Sequence, residues 1–418
     1  MLGLPYSLLP GKDATGYHIY FDGAELFFKD CFFGRFPGPL SYLTREAIPA
    51  NVTYLKNRFM TEQNLPVIYG CDDLVCEDKK MTCGIDLFGS VFFMLTRWEE
   101  IAHQVRDFHD RFPAKESLAF RGGFLNRPVV NEYVEMLWNM MVHLGYRGER
   151  KFRAFKLVLT HDVDHLDYPA TGRILLGDLL KYRNIHLARR HFLRYLQTGS
   201  NPFDYFDFLM SRSEKLGLQS RFYFLASQSG LPYDCRFYLD QERFRDLVAR
   251  ICRRGHLIGF HPGYYTYNDE ARWQAEKSRL EQTLGCTVTE GRQHYLRFDV
   301  AQTFMIWENQ GMETDSSLCY VDLEGFRCGT GDTFPVFDCM GRKQLRLRER
   351  PLIIMDGTLK KFREYDPETM VDCFRVYLQL ARKYRMMLTL LFHNSFYGEW
   401  EGYDVVYGNM LDTCGQGG

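Results

Sequence analysis

The chain has 418 residues, 45% of them hydrophobic, 16% aromatic and 25% charged, which is too much material for one ordinary domain and makes two the natural expectation. A formal net charge of −1 gives no basis for a nucleic-acid partner or an anionic membrane surface. Twelve cysteines scattered without a regular framework point to reduced thiols.

The start, 1–10, is apolar but has no basic segment before it, and no stretch approaches the ~18 apolar residues of a membrane span. The expectation is a soluble, cytoplasmic protein. Residues 1–150 read as a separate α+β unit. An aromatic, strand-like opening at 17–33 leads to a second β-prone piece at 66–69. Cys71, Cys76 and Cys83 are spaced too loosely for a structural zinc site and read as ordinary thiols. A helix begins near Asp86, with Leu87, Val91, Leu95, Trp98 and Ile101 on one face. Another starts at Pro128 and stops at Gly145, its buried stripe being Val130, Val134, Leu137, Met141 and Leu144. Between them, 107–127 is a polar, glycine-containing loop able to reach a neighbour. His103, His109 and His143 show no ligand spacing, and the unit carries no evident chemistry.

Five basic residues against one acid in 145–156 mark a boundary, so that 151–418 forms a second unit. It alternates strands and helices. A strand at 157–161 precedes a long insertion at 166–202 rich in Arg, Tyr and His. A helix at 203–216 is followed by a strand at 221–225, and Asp240 is expected to cap the next helix, which Gly255 closes. Further strands are expected at 256–261, 287–292, 312–315, 352–355 and 387–392. Helices are expected at 269–284, at 301–310 and from Asp366-Pro367, with a frayed end after Cys414. Repeated β–α units imply a parallel sheet, open or closed, with binding residues where the strands finish.

Several of those strands finish in ionisable residues. Leu157-Val158-Leu159-Thr160 runs into His161-Asp162-Val163-Asp164-His165. Crowding Asp162 and Asp164 beside a buried strand costs stability unless a cation or donor answers them. Elsewhere His261 ends one strand, Arg292 another with His294 close behind, and His393 a third, followed by Asn394 and Ser395. These residue types suit metal-assisted hydrolysis. A carboxylate and an imidazole can hold a divalent ion that polarises a carbonyl and acidifies water. A second carboxylate can take the water's proton, a histidine can protonate the leaving group, and a guanidinium can keep the base ionised.

From about 155 to 395 the chain resembles a polysaccharide deacetylase domain, the NodB-homology fold of carbohydrate esterase family 4. Five short motifs carry the resemblance: Thr160-His161-Asp162-Val163-Asp164; Gly255-His256-Leu257-Ile258-Gly259-Phe260-His261; Arg292-Gln293-His294-Tyr295, with His where the family has Pro; Asp315-Ser316-Ser317; and Leu391-Phe392-His393. It implies an α/β fold, a distorted (β/α)7 barrel, with an additional N-terminal α+β domain. It makes Asp162 the catalytic base, His393 the acid and Arg292 the partner of the base, with Asp164 and His261 as metal ligands. The implied cofactor is a divalent metal, zinc above cobalt or nickel, and the implied substrate a carbohydrate bearing an acyl amide. The N-terminal unit resembles an uncharacterised domain that precedes such deacetylases in some bacterial proteins.

One departure from the pattern matters. The second ligand histidine should fall at 265, where the chain has Tyr265. His256 lies about 16 Å back along an extended strand, which leaves His165 or His294 to complete the site. Tyr264, Tyr265, Tyr295 and Tyr320 are available either to stack on a sugar or to pack the rim. Three readings follow: a metal-dependent deacetylase, a degenerate barrel serving as a carbohydrate-binding or assembly protein, and a hydrolase of small amides on the same fold.

Overall fold

The structure is a computed structural model that describes residues 1–9, 15–166, 203–234 and 239–415. Beyond Leu166, the insertion expected at 166–202 lies outside the described residues.

The aromatic opening folds as an antiparallel hairpin of β1 (Gly16–Phe21) and β2 (Ala24–Lys29). Its turn residues Asp22 and Gly23 both have positive φ (48° and 74°), as a tight two-residue hairpin requires. β3 (Thr53–Leu55) and β4 (Leu65–Val67) pair separately. β5 (Gly70–Cys76) and β6 (Lys80–Ile85) complete a four-stranded sheet in the order β1-β2-β6-β5.

The Asp86 carboxylate starts the helix Leu87–Thr96, accepting from the Gly89 N–H (2.7 Å) and from Cys31 and Phe32 (2.8 and 2.9 Å). That helix stops short of Trp98 and Ile101 because Arg97 turns left-handed (φ 54°) to bury its guanidinium. After two short helices, Glu99–Ala102 and Leu118–Arg121, the latter inside the stretch read as a loop, comes the second expected helix, Val129–His143, with Pro128 one place before its first turn. Its buried face is Val129, Val130, Tyr133, Met136, Met140 and Met141, while Val134 and Leu137 are half-buried. Tyr133 enters the core because its hydroxyl donates to the Pro66 carbonyl (2.6 Å), an apolar ring with a satisfied tip.

The second sheet has nine strands. β7 (Lys156–Val163) lies between β8 (Ser220–Leu225) and β15 (Met387–Leu391). Beyond β8 follow β9 (Leu257–His261), β10 (Glu290–Gly291), β11 (Thr314–Asp315) and β13 (Lys343–Glu349), and beyond β15 lies β14 (Ile354–Met355). All run parallel except β12 (Phe334–Asp338), antiparallel on β13. The ladder is open between its ends, β12 and β14, among the described residues. The β12–β13 hairpin stands where the sequence read as irregular. Its signal was the alternation that buries Leu345, Leu347 and Glu349 on one face.

The helices fall near their expected places. Asp269 and Asp366 cap Glu270–Leu284 and Pro367–Lys383 through Arg272 N–H (3.0 Å) and Thr369 N–H (2.8 Å). Asp240 caps nothing: Glu242–Arg253 begins after Gln241, one residue further on. The last helix is Tyr403–Gly415, and the remainder of the end expected to fray, 416–418, lies outside the described residues. The cysteines among the described residues are free thiols, and no described helix is long and apolar enough to cross a membrane.

A buried ion cluster ties the two sheets' surroundings together. Arg97 bonds Glu99 (3.1 Å), Glu100 (2.9 Å) and the Tyr320 hydroxyl (3.0 Å), and Arg327 pairs with both oxygens of the same Glu100. Burial opposes ionisation of Glu100, yet Arg327 and Arg97 hold its pKa at about 2, below the ordinary 4.5. The stabilisation is therefore complete above about pH 4.5 and is lost as pH falls toward 2. Replacing Arg327 by Met removes one partner of a buried pair and should cost about 3–5 kcal/mol at pH 7, read as a lowered urea midpoint. A midpoint equal to wild type would show that the cluster does not hold the junction.

Candidate metal centre

β7 presents Thr160 and Asp162 on one face, and Asp164 follows on the same alternation just past the strand's end. His261 is the last residue of β9. Parallel pairing brings these ends to one rim, together with the exits of β10 and β15 that carry Arg292, His294 and His393. Asp164 Oδ1 lies 3.3 Å from His261 Nε2 and 3.7 Å from His294 Nε2, and its Oδ2 lies 4.0 Å from His393 Nε2. Asp164, His261 and His294 each offer a ligand atom, all within 4.8 Å of one another.

The donor set fits a divalent cation. His261 Nδ1 donates to the Arg292 carbonyl (2.6 Å), which turns Nε2 toward Asp164; burial opposes a charge on the ring, but the Asp162 and Asp164 carboxylates push its pKa up. Asp164 Oδ1 and His294 Nδ1 are buried without a hydrogen-bond partner, a condition that is costly unless an ion or another group answers them. Burial drives the His294 pKa down to about 3, so the ring is neutral, as a ligand must be. Burial works against ionisation of Asp164, but the charge on the imidazoles beside it, His261 and His393 among them, holds its carboxyl well below the usual carboxylate range.

Of the two alternatives for a third donor, His294 stands in this group and His165 does not; the latter is exposed, and its carbonyl accepts from Asn394 (2.9 Å). His294 does not reach the rim on an extended strand. β10 ends at Gly291, Gln293 stays extended, and the chain then turns through Tyr295 and Leu296, both left-handed (φ 58° and 54°). Such backbone costs about 1–3 kcal/mol per residue and persists only where its surroundings enforce it. Tyr265 turns toward Tyr264 (ring centroids 5.0 Å) and Arg272 (6.0 Å). His256 is held away at the other end of β9 by the Ser220 N–H (2.9 Å) and Glu214 (3.2 Å).

Arg292 is fully buried and uses its guanidinium on every side. Nη1 donates to Asp162 Oδ1 (2.7 Å), Nη2 to Thr160 Oγ1 (3.0 Å) and Ser316 Oγ (3.1 Å), and Nε to the Ser316 carbonyl (2.8 Å). Asp162 is thus anchored through one oxygen, its Oδ2 lying 3.8 Å from His261 Nε2. His393 is held by Asp356, which accepts from its backbone N–H (2.6 Å) and bonds Nδ1 (2.7 Å). Burial lowers the His393 pKa, but the Asp356 carboxylate more than compensates and raises it to about 9. The ring is protonated at neutral pH.

One contributor escaped the sequence reading, and a loop expected to reach a neighbour proved to do so at the rim. Asp356 directly follows the apolar run of β14, the same signal that marked the other strand ends. The loop at 107–111 belongs to the unit in which no chemistry was expected, yet it touches the rim at Tyr264 and Tyr295. Conversely, Tyr320 is buried against Arg97 and Arg327 and cannot stack on a ligand.

Residues 22–146 match the model of a family of unknown function (DUF7033). No curated protein matches the chain. A Mycobacterium smegmatis protein described as a polysaccharide deacetylase is similar at 14% identity and a TM-score of 0.41, over 63% of this chain and 84% of that one. A family 4 carbohydrate esterase from Streptomyces lividans is similar at 12% and 0.31, over 63% and 90%. A pseudoenzyme of that esterase family from Bacillus anthracis is similar at 10% and 0.32, over 63% and 62%. Likeness at this level carries no argument by itself, and the functional reading rests on the site.

Removing any one of three donors weakens a three-ligand site strongly. Asp164→Ala, His261→Ala and His294→Ala should each abolish stoichiometric zinc or cobalt in dialysed protein, measured by elemental analysis, whereas His165→Ala should retain it. Metal lost from His165→Ala and kept in His294→Ala would reverse the assignment.

Proposed function

We propose that the chain is a metal-dependent hydrolase of the polysaccharide deacetylase type, cleaving an N-acyl group, typically N-acetyl, from a sugar-containing substrate. The observation that supports it most is the convergence of Asp164, His261 and His294 between a buried Asp162–Arg292 pair and a protonated His393. In this reading 1–150 is an uncharacterised α+β domain and 151–418 the deacetylase-like one, its sheet corresponding to a distorted (β/α)7 barrel. The protein works in the cytoplasm, where its cysteines stay reduced.

Asp164, His261 and His294 would hold the cation, zinc or alternatively cobalt or nickel, which supplies Lewis acidity toward an acyl oxygen and an acidified water. The remaining chemistry belongs to the chain. Arg292 occupies one oxygen of Asp162 and fixes the carboxylate plane, leaving the other to accept the water's proton. His393, held at Nδ1 by Asp356, keeps Nε2 facing the site and delivers a proton from it to the departing amine. Protonation at neutral pH suits that donor, because an amine leaves poorly without a proton.

A second reading is supported by Tyr265. The ligand expected at that position is missing, so a non-catalytic carbohydrate-binding or assembly protein would explain the replacement as loss rather than relocation.

The two readings diverge under substitution. Asp162→Asn should retain metal but lower kcat on chitooligosaccharides, peptidoglycan fragments or soluble N-acyl amides by about 10²–10⁴-fold. Turnover equal to wild type would remove Asp162 as the base, and no turnover of any acyl amide by metal-loaded wild type would favour the binder. His393→Ala should slow amides with poor leaving groups more than activated esters; equal slowing of both would remove His393 as the acid.

A further inference from the structure

The first unit touches the candidate centre through 107–111, and both sides of that contact are built. Arg111 Nη1 donates to the Tyr295 carbonyl (3.3 Å) while its Nε donates to Asp107 (2.8 Å). The Asp107 carboxylate also accepts the backbone N–H groups of His109 (2.8 Å) and Arg111 (3.0 Å), which fixes the loop's shape. The His109 ring lies on Tyr295 (centroids 5.2 Å) and shares a hydrogen bond with the Tyr264 hydroxyl (2.9 Å).

From the other side, Arg297 is buried between the Tyr264 and Tyr267 rings, 3.9 and 4.1 Å from their centroids. It donates to the His109 carbonyl (2.9 Å) and the Tyr264 carbonyl (2.7 Å), and it pairs with Asp110. Between these two grips lie Tyr295 and Leu296, the consecutive left-handed residues, and immediately before them stands His294. Neither Tyr nor Leu favours that backbone, which glycine or asparagine would adopt readily. The turn that aims His294 is therefore imposed by tertiary contacts, and Arg111 supplies one to the carbonyl of its first left-handed residue.

We propose that the loop 107–111 is a positioning element that sets His294 as the third donor toward the cation, so that the centre is incomplete without the first unit. The proposal rests on the metal-centre reading given above and extends it: the donor missing at 265 is replaced from a turn clamped by the neighbouring unit. Arg111, Asp110 and His109 touch no ligand atom and act through the Tyr295–Arg297 backbone.

The test uses the full chain titrated with Co²⁺, whose visible bands report coordination geometry. Arg111→Ala should weaken Co²⁺ affinity by about 10–100-fold, the range for groups that orient ligands, and alter band intensity, with the cation-free unfolding midpoint near wild type. Arg111→Lys, which retains a donor, should lose less. Adding Tyr295→Gly to Arg111→Ala should restore part of the affinity, because glycine takes the left-handed turn without help; a merely structural contact gives no such rescue. Asp110→Asn, which loosens the Arg297 grip, provides an independent variant should Arg111→Ala fail to fold. Loop variants that bind Co²⁺ like wild type while His294→Ala does not would overturn the positioning role and leave the metal centre standing. Wild type without Co²⁺ binding would overturn both.

Discussion

The second unit depends on one buried guanidinium. Arg292 sits fully enclosed where β7, β10 and β11 end, and bonds Asp162, Thr160, and both the hydroxyl and carbonyl of Ser316. A buried charge of this kind is tolerable only with near-complete hydrogen bonding. Thr160 in turn donates to the Leu390 carbonyl (2.6 Å) and Ser316 to the Arg350 carbonyl (2.8 Å), so the network spans the sheet. The guanidinium that anchors Asp162 therefore also ties the strand ends into a single rim.

Around that anchor the site is arranged by opposed environments. Burial strips His294 of its proton, whereas Asp356 keeps one on His393 despite burial. Two imidazoles on one rim are thus pushed in opposite directions, one toward the neutral ring and one toward the protonated ring. Asp164 lies between them with an unanswered oxygen.

Much of this was legible in the linear chain. Short apolar runs ending in ionisable residues placed β7, β9 and β15 and singled out Asp162, Asp164, His261, Arg292 and His393, because a buried parallel strand must change character where it leaves the sheet. The caps at Asp86, Asp269 and Asp366 were equally local, each a side chain bonding its own helix's first turn. The β12–β13 hairpin and the exit of β14 at Asp356 carried comparable local patterns and went unread. By contrast, the early stop of Leu87–Thr96 came from a buried ion cluster whose partner Arg327 lies more than two hundred residues away.

The sequence by itself determined which residue types stand at the strand ends, since alternation and apolar run length are properties of neighbouring residues. Tertiary structure alone decided between His165 and His294. The first follows Asp164 directly yet points to solvent, while the second is delivered by a left-handed turn that no local preference supports. The backbone there is held by groups far away in the chain, the Pro262 carbonyl on the His294 N–H (3.1 Å), Ser317 on the Gln293 N–H (2.9 Å) and Arg111 on the Tyr295 carbonyl (3.3 Å), contacts with no counterpart in the order of residues along the chain.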